Sequence, residues 1–406
     1  MKRPGIMLVA GDPSGDANAA ALVRALALAV PAARFQITSD VQPLTAPLAP
    51  DFFGAGGPKM AAAGVALEFN LTSHAVIGLG GLLKKLPMFR RLLRRLVHLA
   101  AERQPELIIL VDYGGFNLRL ARAIKNYVRA RSGSFFNWQP KIVQFISPQV
   151  WASRPGRAER MAPNYDLVLS LFPFEKKWFA SRVPRLPVEF VGNPIFDRYP
   201  ARAAAGISDA KPSQPATVLL LPGSRRGELK RHVPVMRAAA GLIAASQQAQ
   251  FKMVVPDETL AAMAGTFLTA GQPRIDLQAG GLAEALSSAT LAITKTGTIT
   301  LECAYFGLPA VAMYKTDWIT YLGARRIATV KYLSMPNLLA DQVIYPEFIQ
   351  GQATARNIAA AALELLADPA RRDAIRAKLS LVIQSLAGPG AARRAAAAIV
   401  KLMEKG

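Results

Sequence analysis

The stretch AITKTGTITLECAYFGLP, from Ala292 to Pro309, decides how this chain folds. It predicts a short apolar strand, a turn rich in glycine and threonine, a helix carrying a carboxylate, and an exit into a second strand, AVAMY. Gly297 lets a phosphate approach backbone N–H groups, and the positive end of the following helix points at that phosphate. Glu302 lies about one turn inside the helix, where its carboxylate can accept both hydroxyls of a ribose. The segment indicates either a nucleotide diphosphate site or an ordinary strand–turn–helix packing unit.

The length and composition of the chain predict a globular protein of two domains. With 406 residues, the chain is too long for one ordinary core, and two domains of about 200 residues each are expected. A hydrophobic content of 51% and a charged content of 19% exclude the class of disordered proteins. No uninterrupted apolar run reaches about 18 residues, so no transmembrane helix is expected. The opening MKRPGIMLVAGDPSGD predicts a first β-strand and not a signal peptide.

Cysteine and histidine are too sparse for a disulfide framework or a metal site. The single cysteine, Cys303, fits a reducing cytoplasm. His74, His98 and His232 lie far apart in the sequence and show no metal-ligand spacing. We therefore expect a protein without a metal ion.

The net charge of +22 predicts an anionic partner, which is nucleic acid, an anionic membrane or a phosphorylated substrate. Much of this charge falls inside GLGGLLKKLPMFRRLLRRLVHLA, residues 78–100. After a helix start at Pro87, the arginines and the leucines fall on opposite faces. Such a helix either lies on a lipid surface or joins the core by its apolar face, and the apolar lead-in AVIGLGGLL favours membrane contact. No nucleic-acid-binding motif accompanies the charge, so no nucleic acid partner is expected.

Strands and helices alternate through the first half of the chain. Ile6–Ala10 predicts a strand, Gly11–Asp16 a turn and Ala17–Val30 a helix. Leu107–Asp112 is a continuous apolar strand of the kind that is buried on both faces. A helix from Leu118, the strand KIVQFIS, a turn at Pro148 and the strand Asp166–Phe172 follow. This βαβ rhythm predicts a parallel, doubly wound sheet.

A second α/β series begins after a segment rich in alanine, proline and polar residues, Arg198–Pro215. Its first strand is Thr217–Ser224, QFKMVVP is another, and the unit Ala292–Tyr314 follows. The expected fold class is therefore α/β, with two Rossmann-like doubly wound domains facing a central cleft. The expected boundaries are 1–198 for the first domain, 199–216 for a linker, 217–384 for the second domain, and 385–406 for a C-terminal helix that packs back on the first domain.

Two glycine-rich turns in the first half follow predicted strands directly. In GDPSGD, Ser14 and Asp16 suit the N-cap of the next helix, so a capped turn and a ligand contact both remain open. The string is not GxGxxG, and a dinucleotide site is not indicated. In VDYGGFN, Asp112 stands at the end of a buried strand, where burial tends to raise the pKa of a carboxyl group and make it a usable base. A simple helix-entry cap is the competing interpretation of Asp112.

The string LPGSRRGEL repeats the strand–turn–helix pattern in the second half and adds arginines. Backbone N–H groups and Arg225 form a pyrophosphate clamp, because a guanidinium pairs with phosphate oxygens in a bidentate manner. Together with the TKTGTITLE turn and Glu302, this clamp indicates a nucleotide-sugar donor site. No GxxxxGK[ST] occurs, which excludes a P-loop.

Further strings extend over nearly the whole chain. They are AGDPSGD, GAGGPKMAAAGV, AVIGLGGLLKKLP, VDYGGFNL, ISPQVWASRPGRAERM, LSLFPFEKKWF, FVGNPIFD, LLPGSRRGEL, KTGTITLE and YLSMPNLLADQVIYPEFIQ. In this order they are specific, and the chain resembles the lipid A disaccharide synthase family, peripheral membrane glycosyltransferases of the GT-B fold.

The resemblance implies an inverting enzyme that transfers a diacylglucosamine unit from UDP-2,3-diacylglucosamine to 2,3-diacylglucosamine 1-phosphate. The products are a β-1′,6-linked disaccharide and UDP. It also implies lipid A assembly at the cytoplasmic face of the inner membrane of a Gram-negative bacterium, with an anionic membrane surface as partner and no cofactor. A monomer and a homodimer both remain open.

The resemblance also implies roles for individual residues. Asp112 occupies the position of the proposed base that takes the proton from the acceptor 6-hydroxyl. The expected donor-binding residues are Gly223, Ser224, Arg225, Gly297, Thr298, Glu302 and Asn337. Those expected at the acceptor side of the cleft are Asp12, Ser14, Gly15, Asp16 and Asn117. The expected membrane contacts are Val76, Ile77, Leu79, Leu82, Leu83, Lys84, Lys85, Arg90, Arg91 and Arg94.

The chain departs from the family pattern at four places. Asp12 stands where the family usually has Glu, and Gly115 where it usually has the second carboxylate of D-x-P-D-F-N. Asn193 replaces the His of G-H-P, so a ring that can titrate has become an amide that cannot. Lys295 takes the place of a small residue and would add a phosphate contact. These changes bear on the exact substrate more than on the fold.

Two rivals define what other functions the sequence allows. One is another UDP-N-acetylglucosamine enzyme of the same fold, either a transferase with a lipid acceptor or a 2-epimerase. The strings SPQVWASR and MPNLLADQ argue against it, since such relatives are not expected to share them. The other is a non-catalytic basic protein that binds membranes or nucleic acid.

Overall fold

A computed structural model of the chain describes residues 5–34, 50–72, 86–133, 135–199, 215–268 and 273–404. The chain forms two compact units. The first contains residues 1–197 and 387–406, and the second contains residues 198–386.

The first unit is built on a sheet of seven strands. These are β1 (Gly5–Ala10), β2 (Asp51–Gly56), β3 (Ala66–Asn70), β4 (Leu107–Val111), β5 (Lys141–Phe145), β6 (Leu167–Ser170) and β7 (Val188–Phe190). Their order is β3-β2-β1-β4-β5-β6-β7, and every neighbouring pair is parallel. This is the strand order of a Rossmann-like doubly wound sheet, extended by one strand.

The helices described in the first unit connect these strands or follow the last one. They are α1 (Pro13–Arg34), α2 (Pro58–Ala62), α3 (Leu86–Arg103), α4 (Gly114–Arg131), α5 (Val150–Ser153), α6 (Ala158–Met161), α7 (Pro173–Arg182) and α8 (Ile195–Arg198), with a short 3₁₀ turn at Pro155–Arg157. The final helix of the chain, which we number α17 (Ala391–Glu404), also belongs to this unit.

Both faces of the first sheet are covered. Along β1, Ile6 and Leu8 lie in one hydrophobic cluster and Met7 and Val9 in another. All five residues of β4 are buried, which explains its unbroken apolar sequence.

The last helix completes one of these two clusters. α17 packs against α1, β5 and β6, and its Ala395, Ala396 and Ile399 are buried in the cluster that also contains Ile6 and Leu8. The N–H of Gly390 donates to the Asp197 carboxylate at 2.6 Å, which fixes the entry to the helix.

The second unit repeats the architecture with six strands. These are β8 (Ala216–Leu221), β9 (Ala249–Val255), β10 (Ile275–Ala279), β11 (Leu291–Lys295), β12 (Ala310–Tyr314) and β13 (Glu347–Ile349). Their order is β10-β9-β8-β11-β12-β13, again with parallel neighbours throughout. The predicted fold class, two Rossmann-like α/β domains, is confirmed.

The helices described in the second unit connect and flank these strands. They are α9 (Arg226–Ser246), α10 (Glu258–Gly265), α11 (Leu282–Ser288), α12 (Thr298–Tyr305), α13 (Trp318–Ile327), α14 (Met335–Ala340), α15 (Ala355–Ala367) and α16 (Pro369–Gln384), with a 3₁₀ turn at Gln350–Gln352.

Two element starts differ from the sequence-based expectation. α1 begins at Pro13, inside the predicted turn, because the carboxylate of Asp12 accepts the N–H of Gly15 at 2.6 Å and proline is favoured in a first helical turn. α4 begins at Gly114 and not at Leu118. The preceding strand, β4, ends at Val111, so only Asp112 and Tyr113 lie between the strand and the helix.

Candidate active site

In the first unit, strand order reverses between β1 and β4, which are neighbours in the sheet. Ligands of doubly wound sheets bind beyond the carboxyl ends of the strands at such a reversal. Gly11 and Asp12 follow β1 there, and Asp112 follows β4. Two of the predicted site residues thus stand at the place in this fold where ligands bind.

The backbone of Asp112 is fixed in an uncommon conformation. Its φ is 50°, in the left-handed region. Its N–H donates to the carbonyl of Phe145 at 2.9 Å, and its carbonyl accepts Nδ2 of Asn117 at 2.7 Å and Nε2 of Gln144 at 3.0 Å. These three bonds hold Asp112 at the strand end and leave its carboxylate available for chemistry.

The environment of Asp112 suits a general base. The pKa of Asp112 is raised to about 6, mainly by burial and also by the negative charge of Asp12, while a hydrogen bond from the Tyr113 backbone opposes this shift. A carboxyl group with a pKa near 6 is ionised at neutral pH and is still basic enough to accept a proton in a transition state.

Tyr113 and Gln144 contribute to this site, and no sequence signal had singled them out. The ring of Tyr113 covers Gly11 so closely that a Cβ on Gly11 would lie 2.4 Å from the ring. Gln144 is fully buried inside β5 and also donates to the carbonyl of Ile146 at 3.1 Å. A polar residue in a buried strand was the available signal for Gln144.

The predicted acceptor-side residues take different places. Asn117 is fully buried and holds the Asp112 backbone, and Gly15 lies close to Asp112, since a Cβ on Gly15 would be 3.6 Å from that of Asp112. Ser14 is exposed in the first turn of α1. The carboxylate of Asp16 is buried and does not cap its own helix.

Asp16 caps α2 instead. Its two carboxylate oxygens accept the N–H groups of Gly57, Lys59 and Met60 at 2.8, 3.0 and 3.0 Å. The expectation that Ser14 and Asp16 cap the helix after the turn is therefore wrong, because that helix starts earlier and Asp12 caps it. Asp16 therefore stabilises the start of α2, and its carboxylate is engaged in three hydrogen bonds within the unit.

In the second unit, strand order reverses between β8 and β11. The turn from Pro222 to Arg225 follows β8, and Gly297 follows β11 two residues after its end. The two predicted phosphate turns therefore stand together at the reversal of this sheet. Gly223 and Gly297 both have positive φ, 126° and 104°, which favours glycine at each position.

The carboxylate of Glu228 holds the backbone of the first phosphate turn, which runs from Pro222 to Arg225. One carboxylate oxygen accepts the N–H of Ser224 at 3.0 Å, and the other lies 2.9 Å from Nζ of Lys295. A Cβ on Gly223 would meet Glu228 at 2.3 Å, so this support requires glycine in the turn. Lys295, for which a phosphate contact is predicted, forms an ion pair with Glu228 within the unit.

Arg225 stands at the start of α9 with most of its side chain exposed, at 76%. Its guanidinium is 3.6 Å from Glu228. An exposed guanidinium beside the N-terminus of a helix of 21 residues is a favourable arrangement for an anion.

The second phosphate turn is open above its glycine. A Cβ on Gly297 would meet no atom within 4 Å, and no side chain caps α12, which starts at Thr298. Within that helix, Glu302 is buried and forms an ion pair with Arg198, a residue that sequence reasoning assigned to the linker boundary. Burial raises the pKa of Glu302, and the positive charge of Arg198 opposes this shift.

Asn337 is a fully buried residue whose amide is already saturated. Its Oδ1 accepts the N–H groups of Ile344 and Tyr345, and its Nδ2 donates to the Tyr345 carbonyl and to Glu347, all within 2.9 Å. An amide has two donor and two acceptor positions, and all four are used. Asn337 therefore shapes the loop beside Gly297, and a direct donor contact would require these bonds to break.

His232 connects the ends of two strands. Its Nδ1 lies 2.6 Å from the carbonyl of Pro222, and its Nε2 accepts the N–H of Lys315 at 3.1 Å. Burial lowers the pKa of His232, which is consistent with a neutral ring that donates from Nδ1. The turn after β8 and the loop after β12 are thereby joined.

The strings ISPQVWASR and LSLFPFEKKWF meet inside the first unit. Nε1 of Trp151 donates to Glu175 at 2.9 Å, and the other oxygen of Glu175 accepts the N–H groups of Leu171 and Phe172. The pKa of Glu175 is raised to about 7, because burial outweighs the opposing effect of these hydrogen bonds. In the described structure these hydrogen bonds join the two strings within the first unit.

The predicted membrane segment is described only in part. Val76, Ile77, Leu79, Leu82, Leu83, Lys84 and Lys85 lie outside the described residues. On α3, Arg90, Arg91 and Arg94 are exposed, whereas Leu92 and Leu93 pack against the core and Leu96 is fully buried. The apolar face of α3 therefore joins the core, and its exposed face is basic.

The described residues lack a membrane-spanning helix and a metal-binding cluster. They contain no helix with the length and apolar character needed to cross a bilayer. They also contain no cluster of three histidine, cysteine, aspartate or glutamate side chains arranged to hold a metal ion.

A sequence model of the lipid-A-disaccharide synthetase family matches residues 6–401. The chain belongs to this family. Among curated relatives, the lipid-A-disaccharide synthase of Syntrophus aciditrophicus (strain SB) is 33% identical over 98% of both chains. That of Anaeromyxobacter sp. (strain K) is 34% identical, covering 98% of this chain and 97% of the relative. As a member of the lipid-A-disaccharide synthetase family, the protein is a glycosyltransferase that acts in the synthesis of the lipid A disaccharide.

Solved structures show the same fold at low identity. The S. aureus MnaA-UDP co-structure has a TM-score of 0.62 at 14% identity, covering 99% of this chain and 97% of that one. The calicheamicin glycosyltransferase CalG4 has a TM-score of 0.58 at 14% identity, covering 100% and 99%. These neighbours support the GT-B architecture alone. The family assignment excludes the epimerase and the non-catalytic binding protein as descriptions of this chain.

Proposed function

We propose that the enzyme transfers a diacylglucosamine unit from UDP-2,3-diacylglucosamine to 2,3-diacylglucosamine 1-phosphate. One observation carries this proposal. Each unit has its chemically active groups at the reversal of its strand order, a carboxylate with a raised pKa in the first and two anion-binding turns in the second. A base and a diphosphate site are the two parts that an inverting transfer needs.

The second unit is proposed to bind the UDP part of the donor. The N-termini of α9 and α12 follow the two turns, and the Arg225 guanidinium stands beside the first. These groups stabilise negative charge as it develops on the leaving diphosphate. Glu302 is proposed to accept the ribose hydroxyls, with Arg198 holding its carboxylate ionised in the buried position.

The first unit is proposed to supply the base. The Asp112 carboxylate takes the proton of the acceptor 6-hydroxyl while that oxygen bonds to the anomeric carbon of the donor. The bond from this carbon to the UDP oxygen breaks at the same time, so the configuration inverts and UDP leaves. Asn117 and Gln144 act as positioning residues, because they bond to the backbone of Asp112 and not to the reacting atoms.

We further propose that the enzyme works on the cytoplasmic face of a bacterial inner membrane. The exposed arginines of α3 support electrostatic attraction to anionic lipid at about 1 kcal/mol per basic residue. The apolar segment before α3, residues 76–83, is proposed to reach the acyl chains.

The deciding experiment follows the conversion of radiolabelled 2,3-diacylglucosamine 1-phosphate to disaccharide in detergent micelles, with EDTA present. We expect disaccharide formation by the native chain and none by Asp112→Ala, with UDP affinity unchanged in the variant. The matched control is Asp51→Asn, a substitution of an exposed aspartate at the opposite end of the first sheet. Substantial turnover by Asp112→Ala would remove Asp112 from the mechanism. Absence of product with the native chain, while UDP still binds, would redirect the search to another sugar or lipid.

A further inference from the structure

The helix α13 carries an unusual share of the exposed apolar surface. Ten large hydrophobic side chains are exposed in the described part of the chain, and four of them belong to this helix. They are Trp318, Ile319, Leu322 and Ile327, with exposures of 61%, 86%, 54% and 40%. No residue of α13 is buried. Large apolar side chains clustered on an exposed helix mark an interaction surface.

Three of these side chains, Trp318, Ile319 and Leu322, share one face with two arginines, whereas Ile327 lies about 180° from Trp318 around the helix. At 100° per residue, Trp318, Leu322 and Arg325 follow one another along the helix, with Ile319 and Arg326 beside them. Thr320 and Tyr321, which are half-buried, lie on the other side. The exposed face is therefore apolar in its first turns and basic in its last turn.

The surroundings of this face are almost free of negative charge. Residues 315–333 contain four basic side chains and a single carboxylate, that of Asp317. Asp317 is engaged at the start of the helix, where it accepts the N–H of Thr320 at 2.8 Å and lies 3.8 Å from Arg231. The face therefore complements a surface that is apolar inside and anionic at its edge.

We propose that α13 is a lipid-binding element that inserts its first turns into an anionic bilayer. In this arrangement Trp318, Ile319 and Leu322 enter the boundary between headgroups and acyl chains, where tryptophan is favoured. Arg325 and Arg326 then lie at the level of the lipid phosphates. This element belongs to the second unit and does not depend on the contact proposed for residues 76–94 or on the transfer reaction.

The base of the helix is connected to the proposed donor site. α13 follows β12 after a short loop, and the N–H of Lys315 in that loop is bonded to His232, which also contacts the turn after β8. If the proposed function is correct, a lipid-seated α13 holds the phosphate turns close to the membrane from which an acylated donor comes. This last step alone rests on the proposed function.

The test compares three proteins in co-sedimentation with vesicles of phosphatidylglycerol and phosphatidylethanolamine. The variant Trp318→Ser/Ile319→Ser/Leu322→Ser removes the apolar face, and we expect its vesicle affinity to fall about tenfold or more. The control Leu242→Ser/Leu381→Ser makes the same kind of change at two exposed leucines elsewhere in the second unit, and we expect no loss.

Tryptophan fluorescence gives a direct readout of insertion. The chain has four tryptophans, and two of the others, Trp138 and Trp151, are buried. We expect anionic vesicles to shift the emission of the native protein to shorter wavelength, and the shift to disappear in Trp318→Phe.

Three outcomes would overturn the proposal. The first is native vesicle affinity in the triple variant. The second is a native dimer that becomes monomeric in the triple variant with vesicle affinity kept, which would make α13 an interface between copies. The third applies if the triple variant also loses UDP affinity, which would indicate that it does not fold correctly. In that case the variant Arg325→Glu/Arg326→Glu is used, and unchanged vesicle affinity of this double variant contradicts the proposal. Weakened vesicle affinity of the double variant with UDP binding retained supports the proposal. None of these readouts uses the transfer reaction.

Discussion

The ammonium nitrogen of Lys295 lies 2.9 Å from the Glu228 carboxylate, and the second oxygen of that carboxylate accepts the N–H of Ser224. Both side chains are largely buried, at 18% and 8% exposure. Burial alone would raise the pKa of Glu228, but Lys295 and the hydrogen bonds outweigh it, and the pKa is lowered. The backbone of the first phosphate turn is therefore held by an ion pair between two residues that no local sequence pattern relates to each other.

Breaking this pair should separate binding from stability. Glu228→Gln keeps the shape but weakens the bond to Ser224, and we expect the donor KM to rise about tenfold with a smaller change in kcat. Lys295→Met removes the nearest cation from a buried carboxylate and leaves only the exposed Arg225 guanidinium beside it, and we expect the free energy of unfolding to fall by roughly 3 kcal/mol. Urea denaturation of the double variant is the control, because it should recover most of that loss. A double variant as unstable as Lys295→Met would show that the two residues do not act as a pair.

The pH dependence of the reaction should report Asp112. Its pKa of about 6 predicts that kcat/KM rises with pH through that value, because the base must be ionised. The charge of Asp12 contributes to the raised pKa, so Asp12→Asn should move the acid limb of the profile to lower pH. A profile that does not move in Asp12→Asn would mean that another group controls the limb.

Asp112 should also cost the protein stability at neutral pH. A carboxyl group whose pKa is higher in the folded state than in the unfolded state destabilises the fold above the folded pKa, and this penalty vanishes below the unfolded pKa of 3.8. Asp112→Asn should therefore raise the free energy of unfolding by roughly 1–3 kcal/mol at pH 8 and leave it nearly unchanged at pH 3.5. Denaturation at both pH values measures this, and an equal effect at both would contradict the assignment.

The glycines around the base differ in what they tolerate. Gly11→Ala would place a methyl group 2.4 Å from the ring of Tyr113, next to Asp112, and we expect a loss of roughly 1–3 kcal/mol in stability together with reduced kcat. Gly115→Ala is the matched control, because a Cβ there meets no atom within 4 Å. Equal damage from both substitutions would show that steric contact with Tyr113 is not the cause. The same space would admit the carboxylate that the family usually carries at position 115.

Breaking the ion pair between Arg198 and Glu302 should make donor binding sensitive to pH. Arg198→Met removes the charge that opposes the raised pKa of Glu302, so UDP affinity should fall as the pH is lowered from 8 to 6. Titration calorimetry at the two pH values measures the effect. Arg356→Met, at an exposed arginine of the same unit, should show no such dependence. If both variants behave alike, Glu302 does not bind the donor as a carboxylate.

The fold was predictable from sequence because its strands are unambiguous. The continuous apolar run Leu107–Val111 and the strand–turn–helix units could be placed without a structure, and their parallel order follows from the βαβ rhythm. The reversal points of the two sheets then explain why Asp112 and the phosphate turns stand where they do. The strand order itself is set by long-range pairing, which no local pattern encodes.

The site was less predictable where function depends on distant partners. Arg198 was assigned to a linker boundary because nothing near it in sequence indicates Glu302, 104 residues away. Asn337 was expected at the donor, and its four internal hydrogen bonds appear only when the loop is folded. The exposure of α13 could not be predicted from its sequence, because an apolar face on a helix ordinarily indicates burial and the apolar side chains of α13 are exposed.

The return of α17 to the first unit has a consequence for synthesis. A ribosome makes residues 1–197 first, yet the surface of α1, β5 and β6 that α17 covers stays exposed until residues 391–404 have been made. The second unit is continuous in sequence, so it can fold before the first unit is complete. A polypeptide stalled shortly before residue 387 would carry one finished unit and one with an exposed apolar flank. Chaperones and proteases could then recognise a chain that lacks α17 by this uncovered apolar surface.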